Sequence, residues 1–208
     1  MPGRSVRLTA CEDNGITHIV NYHRGQIGSI MKGIVFNLLE DVVSEQFGTE
    51  TWDFLLEKAK VDGVYSSLGN YPDEDMLALV SAAAHHLKIS EGEVLRWFGE
   101  QAMPLLKKTY PELFEQFPSA RAFILSVNTI IHPEVRKLYS GAHCPYFHFT
   151  ELPDGALEMR YQSSRHLLDL AHGFILGAAD IWHEKVSVER YPPGSAKEND
   201  MTIRWQGP

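Results

Sequence analysis

Tyr161-Gln162-Ser163-Ser164-Arg165 is the stretch on which the fold turns. In an extended segment successive side chains alternate faces, so the residues at 161, 163 and 165 point the same way. A phenol, a hydroxyl and a guanidinium on one face form a polar prong, and the planar fork of arginine suits a carboxylate or a phosphate. Residues 156–160 read as strand and 167–171 as helix, which puts the prong where one gives way to the other. A helix start also favours an anion. Taken alone, the trio is a generic anion grip. Tyr161 reads equally well as an aromatic capping the end of a strand, and Arg165 as a solvated cation at a helix start.

Working outward, the chain has the size and composition of one packed domain. Its 208 residues are 44% hydrophobic, enough for a core with room for a buried cofactor. A net charge of −8 and the lack of any Lys/Arg block argue against a nucleic-acid surface. Only Cys11 and Cys144 occur, which rules out a disulfide framework or a four-cysteine zinc site and suits a reducing compartment. No run of about 18 apolar residues marks a membrane span, and the N-terminus lacks a secretory pattern. The expected location is cytoplasmic, with neither membrane nor nucleic acid as a partner.

Residues 1–30 do not match the pattern of the remaining chain, and are expected to be an extension: a mis-assigned start, a disordered tail, or a short strand at 16–20. The domain proper is expected over 31–208. Ile34, Val35, Leu38, Leu39, Val42 and Val43 recur at helical spacing until Gly48. A second helix starts at Thr49 or Thr51 and closes at Asp62-Gly63, and a third spans about 73–87. Ser90 and Glu93 form a capping box that launches a helix over 94–106, which Pro104 should bend or end. Tyr110-Pro111 and Phe117-Pro118-Ser119 mark irregular joints before a long helix over 120–138. The period then changes to strand, turn, strand over 146–161, with Pro153-Asp154-Gly155 as the turn. A helix over 164–184 and two strands, 185–191 and 201–205, complete an α+β arrangement.

Three landmarks accompany the prong. His132-Pro133 stands 29 positions before Tyr161, Pro145 falls between them, and Met31-Lys32-Gly33 opens the regular part of the chain. This ordered set resembles the H-NOX family, the haem nitric oxide/oxygen binding domains, over roughly residues 31–205. The resemblance implies an N-terminal helical subdomain and a C-terminal subdomain with a small antiparallel sheet and helices. Haem b, iron protoporphyrin IX, would lie buried between them. It assigns the propionates to Tyr161, Ser163 and Arg165, the iron to His132, and contact with the macrocycle to Pro145. The plain readings are a satisfied core histidine and a proline leading into a strand. Pro133 should kink the helix at His132, because proline lacks an N–H and disfavours helical geometry at the residue before it.

Gas selectivity is expected from what the pocket lacks. Oxygen on ferrous iron needs a nearby hydrogen-bond donor, whereas nitric oxide and carbon monoxide need little such help. Oxygen-binding members of the family place a tyrosine nine residues after the motif tyrosine, and here that residue is Leu170. Counting from Gly99 and Met31 puts Ala102 and Leu39 in the same pocket, with Val35 and Phe174 flanking the ring. The resemblance therefore implies a nitric oxide sensor and not an enzyme. On binding, His132 would release the iron and its helix would shift between two states. The output would be a separate histidine kinase, or a diguanylate cyclase or phosphodiesterase acting on cyclic-di-GMP. The alternatives are an oxygen-binding domain or a module for another tetrapyrrole or a lipid carboxylate. The ten histidines lack zinc spacing and any His-Glu-x-x-His motif, and no Gly-x-Ser-x-Gly elbow marks a serine hydrolase.

Overall fold

Why α1 forms at Gly33–Phe47 is plain from its buried stripe of Phe36, Leu39, Val42 and Val43. The computed structural model describes residues 29–206, so the expected strand at 16–20 lies outside the described residues. α1 stops at Gly48, whose φ of 87° suits a residue without a side chain. α2 follows at Thr49–Ala59 and ends at Lys60 in the left-handed conformation, before the expected stop at Asp62-Gly63. No local pattern announces the small ribbon in which β1 (Ile30–Lys32) pairs antiparallel with β2 (Asn70–Pro72), Met31 opposite Tyr71. α3 occupies Asp73–Leu87, as its acidic first turn and apolar spacing require.

α4 runs Glu91–Thr109 from a complete capping box: the Glu93 N–H donates to Ser90 Oγ, and the Ser90 N–H donates to the Glu93 carboxylate. Pro104 does not end it. Close packing against α8 (Leu168–Ile181) holds α4 in place, with a side-chain carbon on Gly173 having only 2.0 Å to the Arg96 carbonyl.

The long helix expected over 120–138 is three pieces. After α5 (Glu112–Glu115) come α6 (Ala120–Ser126), a π-helical turn (Val127–Ile131) and α7 (His132–Leu138). Pro133 sits in the first turn of α7, where its missing N–H is tolerated. His132 itself keeps helical angles (φ −64°, ψ −37°), and its N–H donates to the Val127 carbonyl five residues back. The expected distortion at His132 is displaced upstream, into the widened turn.

β3 (Tyr146–Glu151) and β4 (Leu157–Gln162) form the expected hairpin, with Phe147 opposite Tyr161. α8 begins at Leu168 and not at 164, because His166 takes a φ of 54° that no helix allows. β5 (Val186–Arg190) and β6 (Asp200–Trp205) complete an antiparallel sheet ordered β3-β4-β6-β5. Met201, Ile203 and Leu157 bury its inner face, while Phe36, Phe98 and Leu79 fill the helical half. The fold is α+β, helices first and sheet second.

Candidate functional site

Between the helical half and the sheet lies a cavity of about 340 Å³, within the range of cofactor sites. α1 supplies Ile34, Val35 and Leu38, α4 supplies Met103 and Leu106, and α8 supplies Leu170 and Phe174. Phe147 on β3 and Tyr161 on β4 close the sheet side. Most of this wall is carbon. His132 reaches it from the start of α7, and its Nδ1 is buried. Burial and then the nearby Arg136 push its pKa down to about 4, against a smaller opposing effect of a hydrogen bond between the ring and the Pro145 backbone. The ring is therefore neutral at neutral pH, as a metal ligand must be.

The prong is only partly gathered here. Tyr161 is buried on the wall, its phenol oxygen accepting the Leu167 N–H at 3.3 Å. Arg165 also faces the cavity, but protein groups already hold it. Its Nε donates to Asp73 at 2.7 Å, and its terminal nitrogens donate to the carbonyls of His143 and Ile30. Ser163 is off the wall, its Oγ accepting the Arg165 N–H at 3.3 Å. β4 stops at Gln162, so the strand alternation that would align all three does not reach 165.

Pro145, Val35, Leu170 and Phe174 lie on the wall as the sequence suggests, whereas Leu39 and Ala102 do not. Those two are core residues, 3% and 0% exposed, and their neighbours Leu38 and Met103 take the wall. A shift of one residue turns a helical side chain by about 100°, which is enough to exchange cavity for core.

Sequence reasoning missed five polar wall groups: Lys32, Tyr110, Tyr139, His143 and Cys144. The two phenols hydrogen-bond each other, and burial together with that contact raises the Tyr139 pKa above the ordinary phenol value. Burial likewise raises the Cys144 thiol and keeps it protonated. Helical counting could have found Tyr139, which follows His132 by seven residues, two turns along the same face. Tyr110 comes from a distant joint and carried no such signal.

Chemically, this wall can enclose a flat apolar group and offer it one nitrogen, which makes the chain a cofactor-holding domain in class. Among the described residues no cluster of three or more His, Cys, Asp or Glu could hold a metal by itself. No described helix is long and apolar enough to cross a membrane.

Comparison with known proteins narrows the class. A family profile described as Haem-NO-binding matches residues 32–190. The chain is similar to the H-NOX protein from S. oneidensis in the Fe(II)NO ligation state, with 30% identity and a TM-score of 0.78 over 85% of this chain and 100% of that one. It is also similar to the Fe(II) unliganded H-NOX protein from K. algicida, with 25% identity and a TM-score of 0.75 over 86% and 98% of the two chains. The Shewanella oneidensis H-NOX domain in the Fe(II)CO ligation state matches at 30% identity and a TM-score of 0.74, over 86% and 100%. The chain belongs to the H-NOX family, whose domains are haem-binding gas sensors and not enzymes.

Proposed function

We propose that this chain holds haem b with His132 as the iron ligand, senses nitric oxide in preference to oxygen, and signals to a separate histidine kinase or cyclic-di-GMP enzyme. One observation carries the reading: a neutral His132 ring on the wall of an apolar cavity. A neutral imidazole has one nitrogen lone pair to offer a metal. Bound haem would supply an iron able to take a diatomic gas.

The chain's own residues fit that role. Arg165 has five N–H groups, and its three protein contacts leave others for a propionate. The Tyr161 and Ser163 hydroxyls each retain a hydrogen to donate, since both act as acceptors in their assigned bonds. Pro145 lies against the cavity just before β3, next to the His132 ring. Leu170, with Val35, Leu38, Met103 and Phe174, offers a gas no donor, which suits nitric oxide and carbon monoxide better than oxygen. Tyr110 and Tyr139 share one hydrogen bond, which leaves one of the two phenol hydrogens on the wall free to donate. The S. oneidensis relatives carry nitric oxide and carbon monoxide at Fe(II), and the proposal extends those ligands to this chain.

His132 is the first residue of α7 and directly follows the π turn, so a change in the pull on its ring passes to α7 and the Tyr139–Tyr110 contact. That is the route proposed toward the partner. The test is an absorption spectrum of the purified ferrous protein. A Soret band that shifts with nitric oxide and carbon monoxide and ignores oxygen is expected, and a stable shift under oxygen would favour the oxygen-binding alternative. His132→Gly should retain haem only with added imidazole; normal retention without it would remove His132 as the ligand.

A further inference from the structure

We propose that Lys32 is the counter-charge for a haem propionate, a role separate from that of the 161–165 prong; the proposal rests on the haem reading above. Lys32 lies on β1, is 9% exposed and lines the cavity. An ammonium group has three hydrogens to donate. Among the described residues this one makes a single bond, to the Leu68 carbonyl at 3.2 Å, and has no carboxylate partner. Lysine is almost never this buried unless it is paired. An unpaired buried cation beside a cavity calls for an anion in the cavity.

Charge balance points to the same anion. Arg165 is paired with Asp73 at 2.7 Å, with side-chain exposures of 10% and 12%. That pair is neutral as a unit. It can hydrogen-bond a propionate, but it does not offset the two negative charges that a haem brings. Lys32 is the other cationic side chain on the described wall. Its Nζ lies beside Gly141, at the start of the loop whose His143 carbonyl accepts from Arg165, and Ile30, two residues before it on β1, supplies another of the Arg165 acceptors. The two cations therefore share one rim of the cavity, Arg165 neutralised and Lys32 not.

The test is the rate at which the ferric holoprotein gives up haem to excess apomyoglobin. Lys32→Met should lose iron protoporphyrin IX about tenfold faster than the parent, and Lys32→Arg should stay within about threefold, as expected for one charge-assisted hydrogen bond. Reconstitution with the dimethyl ester of the same haem, which lacks carboxylates, should abolish the difference. The haem-free Lys32→Met protein should melt at the parent's temperature or above it, because an unpaired buried charge has been removed. The proposal is overturned if Lys32→Met keeps haem at the parent's rate, if it loses the dimethyl ester equally fast, or if the haem-free variant melts lower. Absence of a Soret band in the reconstituted parent would instead sink the haem reading itself.

Discussion

Arg165 bonds to three separate parts of the chain: Asp73 at the start of α3, Ile30 on β1, and the His143 loop after α7. Removing its charge partner leaves a guanidinium buried and uncompensated, which costs more than the pair itself contributes. Asp73→Ala should therefore lower the unfolding free energy of the haem-free protein by about 3 kcal/mol in a urea titration, and a loss below about 1 kcal/mol would refute the clamp. Replacing Arg165 by Met in the Asp73→Ala background should recover part of the loss. Tyr161 and Arg165, close in sequence and chemically distinctive, could be singled out locally and both reach the cavity wall, whereas Ser163 does not. Asp73 could not be singled out, since 92 positions separate it from Arg165 and nothing local in either segment marks the pairing. The exchange of Leu39 for Leu38 has a different cause. Both positions are apolar on one helix, and hydrophobic spacing cannot tell a core face from a cavity face.

At the level of elements, the capping box, the bounds of α3 and the β3–β4 hairpin could be read because each depends on contacts within a few residues. The β1–β2 ribbon and the insertion of β6 between β4 and β5 could not, since each depends on distant partners, and the π turn, though local, has no residue pattern that marks it. The same limit explains Pro104. Helix propensity counts against proline inside α4, but α8 packs along that helix and tertiary burial wins. The closest approach is at Gly173, where an added carbon would lie 2.0 Å from the Arg96 carbonyl and 2.9 Å from the Glu100 nitrogen. Both neighbours are backbone and cannot swing away. Gly173→Ala should force α4 and α8 apart at a cost of about 3 kcal/mol, the upper end for overpacking. Thermal unfolding should show a clearly lower midpoint. Because Leu170 and Phe174 flank this position, the cavity should deform with it, and an unchanged midpoint would mean that the helices yield freely.

Across the whole molecule, the face of α8 turned from the cavity carries a buried histidine. His172 is 6% exposed, its Nδ1 is unpartnered, and it lies among Arg96 of α4, Arg190 of β5 and Asp169 of α8. Asp169 accepts from both arginines, at 3.4 and 2.8 Å, so three elements meet around a net positive cluster. Burial first, then the two arginines, push the His172 pKa down to about 4, with Asp169 opposing. The folded value is thus below the unfolded value of about 6.5. Between them the unfolded chain binds the extra proton, so the stability contributed by neutral His172 is fully present above pH ~6.5 and lost as pH falls toward ~4. The ceiling is about 3 kcal/mol at ~1.36 kcal/mol per pH unit. His132 is shifted the same way, so the parent's slope contains both. Urea unfolding of the haem-free protein at pH 7 and pH 4.5 should show a marked loss of stability in the parent and about half that loss in His172→Leu. Equal losses in the two proteins would mean that His172 is protonated without penalty in the fold, and that the cluster around it is open to water.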